Sequence, residues 1–95
     1  MYARVVRFTD VNAERIEQVL AGIREAGGPP PGVSISRLQM LTDADQGTAI
    51  VLQYFDSAEE MAEAARVFEA MDSSETPGTR VAVDTCEVKL DITPS

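Results

Sequence analysis

The spacing of apolar residues changes repeatedly along the chain, and each change marks an element boundary. Tyr2 to Phe8 is short, partly β-branched and aromatic, which predicts a strand. Thr9, Asp10 and Asn12 then offer helix caps. Ile16, Val19, Leu20 and Ile23 follow at i, i+3, i+4 and i+7, the single apolar stripe of a helix. Gly27-Gly28 ends that helix, because glycine readily takes the left-handed conformation of a C-terminus. Pro29-Pro30-Pro31-Gly32 predicts a stiff, extended connector. In the strand expected from Val33 to Leu41, Val33 and Ile35 share one parity and Leu38 and Met40 the other. Either a bulge near Ser36-Arg37 resets the register, or both faces are partly covered.

Thr42 to Gly47 reads as a turn. Thr48 to Phe55 is the third strand, and its consecutive Ile50, Val51 and Leu52 suit a strand buried on both faces. Ser57-Ala58-Glu59-Glu60 fits a capping box. It opens a helix whose expected inner face is Ala58, Met61, Ala62, Ala65 and Phe68, ending near Met71. A polar loop over 72–79 leads to a last strand from Arg80 to Ile92. There the parity switches around Asp84-Thr85, a second bulge candidate. The order β-α-β-β-α-β predicts a ferredoxin-like α+β domain over residues 1–95, a four-stranded antiparallel sheet with two helices on one face.

Such a sheet exposes its second face, which ought to be polar in a monomer. Here the long strands carry apolar residues on both parities: Ile35 with Leu38, Val51 with Ile50 and Leu52, Val83 with Cys86 and Val88. Large exposed apolar patches usually mark interfaces. The economical cover is a second copy of the sheet about a two-fold axis, so a homodimer is expected. A small apolar cavity between each sheet and its own helices is expected as well.

Composition narrows the chemistry. Sixteen acidic residues against eight basic ones give a net charge of −8 in 95 residues, which argues against nucleic acid or an anionic membrane as the main partner. Histidine and tryptophan are absent and cysteine occurs once. Serine–histidine and cysteine–histidine pairs, imidazole metal ligands and a proximal haem histidine are therefore excluded. No metal site and no cofactor are expected. One cysteine forms no internal disulfide. The N-terminus is too short and interrupted for a signal peptide, and no apolar run reaches a membrane span. The expectation is a cytoplasmic protein.

Pro31-Gly32 opening the second strand, the Thr42-to-Gly47 turn and an apolar third strand running into Phe55-Asp56-Ser57-Ala58-Glu59-Glu60-Met61 resemble the dimeric α+β barrel superfamily. The resemblance is to its antibiotic-biosynthesis-monooxygenase-like (ABM) branch, and it spans nearly the whole chain. It implies a dimeric barrel and a cofactor-independent monooxygenase or isomerase acting on a small aromatic or enolisable carbonyl compound. The haem-degrading members of the family use an Asn, Trp and His set. This chain has Ala64, Ala65 and Arg66 where the helical ligand would fall, so that route is closed. Phe55 stands where the family often carries Trp, keeping the bulk and losing the N–H donor.

Polar residues inside apolar strands are the candidates for a substrate pocket: Arg37, Gln39, Gln53 and Tyr54, with Phe55 at the strand–helix junction. Arg37 suits a carboxylate or enolate, and Tyr54 an orienting donor. No residue is singled out as catalytic. Arg4 and Arg7 are expected to pair with carboxylates at sheet edges. Cys86 is expected to be a buried thiol, Asp43 and Asp45 turn formers, and Glu59, Glu60, Glu63 and Glu69 a solvated helix face. A binding or regulatory dimer without enzymatic activity is the alternative function.

Overall fold

The computed structural model describes residues 1–29, 32–70 and 76–94. Six elements follow in the order β1 (Tyr2–Thr9), α1 (Ala13–Ala26), β2 (Arg37–Asp43), β3 (Thr48–Phe55), α2 (Ala58–Glu69) and β4 (Thr79–Glu87). The strands form one antiparallel sheet in the order β2-β3-β1-β4, the ferredoxin-like arrangement. Among the described residues no helix is long and apolar enough to cross a membrane.

Pairing fixes which side chains share a face. Arg4 lies opposite Gln53, Val6 opposite Val51 and Phe8 opposite Ala49, and this set faces the helices. Val6, Phe8 and Ala49 are buried against Val11, Ile16 and Val51. Phe55 and Ala64, both at 0% exposure, pack with Val33 beneath α2. Complete burial of a phenylalanine ring contributes about 1.5–3 kcal/mol.

Asn12 caps α1 by accepting from the Arg15 backbone amide, and Gly27 closes the helix at φ 71°. Ser57 caps α2 by accepting from the Glu60 amide. α1 buries none of its residues completely, and Ile23 at the end of its stripe is exposed.

Several expectations are corrected. The parity change in the second strand is not a bulge. Val33 to Ser36 lies outside the strand, which starts at Arg37, and Val33 and Ile35 instead fill the space between α2 and Phe55. The inner face of α2 is Met61, Ala64, Val67 and Phe68, while Ala58 and Ala62 are exposed. The second bulge is real but earlier: Arg7 faces Ala82 and Phe8 faces Arg80, so Val81 is the extra residue. β4 ends at Glu87, and beyond it Leu90 and Ile92 are exposed. The middle of the proline connector and the supposed end of the second helix at Met71 lie outside the described residues.

The second face of the sheet is open. Val5, Ile50, Leu52 and Tyr54 are half-buried on it, and Leu41 is exposed. Cys86, opposite Ala3, is exposed there rather than buried, because β4 is an edge strand and no described element covers this face. Arg7 and Arg37 share the face with Asp43 and Asp84.

Candidate functional site

The sheet separates the five residues expected to line a pocket. Successive side chains in a strand point to opposite faces, so Gln53 and Tyr54 cannot share a site. Arg37, Gln39 and Tyr54 gather on the open face. The Arg37 guanidinium lies 5.9 Å from the centre of the Tyr54 ring, and the Tyr54 hydroxyl donates to Gln39 Oε1 at 3.3 Å. Gln53 and Phe55 lie beneath the helices, both buried.

On the helix side the structure builds a different centre around Arg4. Its Nη1 donates to Gln53 Oε1 at 3.1 Å and its Nη2 to Glu69 Oε1 at 3.2 Å. The guanidinium sits 5.3 Å from the centre of the Phe68 ring, a cation–π contact. Arg4 is only 3% exposed, and its Nε is buried without a partner among the described residues. Glu69, on the last turn of α2, also takes a two-pronged contact from Arg80, Nη1 to Oε1 at 2.8 Å and Nη2 to Oε2 at 2.9 Å.

Charge coupling follows from this geometry. Burial pushes the Arg4 guanidinium below its ordinary value, opposed by Glu69 and reinforced by Arg80, yet an arginine stays charged. The hydrogen bond from Arg80 holds the Glu69 carboxyl below the usual range, with Arg4 adding to the effect. The same bond raises Arg80.

Beside this cluster opens a groove of about 570 Å³. Asp10, Asn12 and Arg15 form one wall, Phe68 and Glu69 a second, and the segment from Thr76 to Arg80 a third. Its lining is mixed and rich in charge, not the apolar cavity expected. Arg15 Nε donates to the Thr76 carbonyl at 2.7 Å, and the Thr76 hydroxyl to the Gly78 carbonyl at 2.9 Å, which joins the start of α1 to the approach of β4. Two glycines fit around the corner after β1. A Cβ on Gly78 would collide with the Thr9 carbonyl oxygen, and Gly47 lies under Val11, whose amide donates to the Gly47 carbonyl at 3.0 Å. Asp10 within that corner has φ 57°, a left-handed conformation that aspartate tolerates better than most residues.

A smaller concavity of about 150 Å³ lies by Ser34, Ser36, Asp56 and Glu60. Asp43 behaves as a turn former, its carboxylate accepting from the amides of Asp45 and Gln46 and from the Gln46 side chain.

Arg4 pairs with a carboxylate as expected, but from a central strand beneath the helices rather than at a sheet edge, and Phe68, Glu69 and Arg80 are not among the residues expected to line a pocket. For Arg4 a signal existed: it shares a parity with Val6 and Phe8, so its charge belongs to an apolar stripe. Glu69 carried none, because only the fold brings it to two arginines far away in the chain. Chemically the groove sets Arg15 and Arg80 against Asp10 and Glu69 beside the Phe68 ring, and an anion on a flat ring would meet the Arg80 charge by taking the place of Glu69. No family model and no curated protein matches this chain.

Proposed function

We propose that the protein is an ABM-like homodimer that binds a small aromatic or enolisable carbonyl compound in the groove between the start of α1 and the end of α2. The observation that carries this reading is the buried Arg4, stacked on Phe68 and bridged through Glu69 to Arg80 at the groove wall. Within it, a cofactor-independent monooxygenase or isomerase would use the arginine charge to stabilise the enolate of its substrate. The open face joins the two copies. It is apolar at its centre and carries Arg7 and Arg37 with Asp43 and Asp84, a mixture of signs that a two-fold axis can set against itself. The second reading, a binding or regulatory dimer without chemistry, is favoured by one observation: Glu69 already occupies both arginines.

Oxygen uptake with anthrone separates the readings. The enzyme predicts uptake in wild type that falls in Phe68→Ala, while Arg37→Ala and Tyr54→Phe on the open face retain it. Binding of anthrone without uptake and without conversion to an isomer selects the non-catalytic dimer, and neither binding nor uptake refutes the groove. Sedimentation tests the dimer separately, and a persistent species of 10.3 kDa refutes it.

A further inference from the structure

Glu69 is the last residue of α2, where the exposed carbonyl ends of the helix disfavour a negative charge. Its carboxylate is about half exposed, whereas Arg4 behind it is almost completely enclosed. Helix electrostatics therefore do not favour this carboxylate; the two arginines hold it. Arg80 grips both of its oxygens, and Arg4 shares the first. The seat is shaped for a planar anion with two oxygens, and at present a side chain of the protein fills it.

The surroundings fit such an occupant. In a chain of net charge −8, two of the eight basic residues, Arg15 and Arg80, line this groove beside the acids Asp10 and Glu69, and Arg4 stands behind Glu69. Among the described residues nothing satisfies the buried donor Arg4 Nε. Such a donor is costly to leave unpaired, but Arg4 lies behind Glu69 and does not itself line the groove. Phe68 lies next to Glu69 in the chain and lines the same wall, so a ring attached to the anion has a surface to rest on.

We propose that the groove takes an aromatic carboxylate, whose carboxyl group displaces Glu69 from Arg80 and Arg4, with Glu69 acting as an internal competitor. This inference rests on the groove being a ligand site and adds the class of ligand and the way its seat is regulated.

The test compares 2-naphthoate with its neutral isostere 2-naphthamide, by calorimetry and by amide shifts at Phe68 and Thr79. Wild type is expected to prefer the carboxylate. Glu69→Gln removes the competing charge and is expected to tighten naphthoate by at least about fivefold, the lower end of ordinary coupling between sites. The amide is expected to bind it unchanged. Arg80→Gln weakens naphthoate alone. A Glu69 that serves only structure predicts the opposite, unchanged or weaker naphthoate binding in Glu69→Gln. Equal binding of both probes, insensitive to either substitution, overturns the carboxylate class and leaves the groove standing as a ligand site. Binding of neither probe to wild type or Glu69→Gln overturns both, as does binding that leaves Phe68 and Thr79 unshifted. Should Glu69→Gln fail to fold, the preference of wild type and its loss in Arg80→Gln decide the matter.

Discussion

The Arg4–Gln53 contact is a buried hydrogen bond between strands β1 and β3, and its energetics are open to a double-mutant cycle. Gln53→Leu replaces the amide by an apolar group of similar size and deprives Arg4 Nη1 of its acceptor at 3.1 Å. Arg4 then holds two donors without an acceptor among the described residues, Nη1 and Nε. A lost hydrogen bond to a charged group costs about 1.5–3 kcal/mol. Arg4→Met leaves the Gln53 carbonyl oxygen unpaired and loses the contact with Phe68, but it also removes a charge from the interior. The net cost is about 1–2 kcal/mol. The double variant strands neither group, so its stability should match or exceed that of either single variant, with a coupling of about 1.5–3 kcal/mol. Urea unfolding reads this directly. At the slope of about 1–2 kcal/mol per molar usual for a small domain, the coupling corresponds to roughly 0.8–3 M in midpoint. Single effects that add to within about 0.5 kcal/mol would refute the coupling between the two residues.

Phe55→Ala empties the best-packed position beneath α2 and should cost about 3–5 kcal/mol, a large share of the roughly 5–14 kcal/mol available to a domain of this size. A melt within a few degrees of wild type would contradict that burial. Gly78→Ala forces a methyl group against the Thr9 carbonyl and Val11, and a loss of about 1–3 kcal/mol, seen as a drop of roughly 4–8 °C per kcal/mol, is expected. An unshifted melting temperature would show that the corner yields freely. Glu69 titrates below its ordinary 4.5 in the folded protein, so its pairing stabilises fully above that pH and is lost as pH falls through the lowered value. Glu69→Gln should therefore flatten part of the acid limb of the stability curve, and an unchanged limb would exclude the pairing as a contributor.

The elements were legible because their signals are local. The i, i+3, i+4, i+7 stripe of α1, the Gly27 stop, the Ser57 cap and the apolar run of β3 each reside in a few neighbouring residues. Register was less so. The parity change between Ile35 and Leu38 has two readings in one dimension, and the structure adopts a third, in which the first two apolar residues leave the sheet altogether. The face of α2 was misplaced for a similar reason: its alanines fit either side until Phe55 and Val33 select Ala64. The site was hardly legible. Arg4, Glu69 and Arg80 meet across 65 and 11 residues of chain, and nothing local to Glu69 distinguishes it from the solvated acids before it. Gln53 and Tyr54 share the signal of a polar residue in an apolar strand, but strand alternation sends them to opposite faces.

The lone thiol has a practical consequence. Cys86 is the only cysteine in the chain and stands exposed on the open face, across from Ala3. A maleimide spin label or fluorophore would therefore attach at a single address without any engineered substitution. Two chains meeting face to face would bring their labels into measurable dipolar range, and a bulky adduct would wedge them apart. The same sulfur can thus serve as ruler and as spacer for the surface on which it sits.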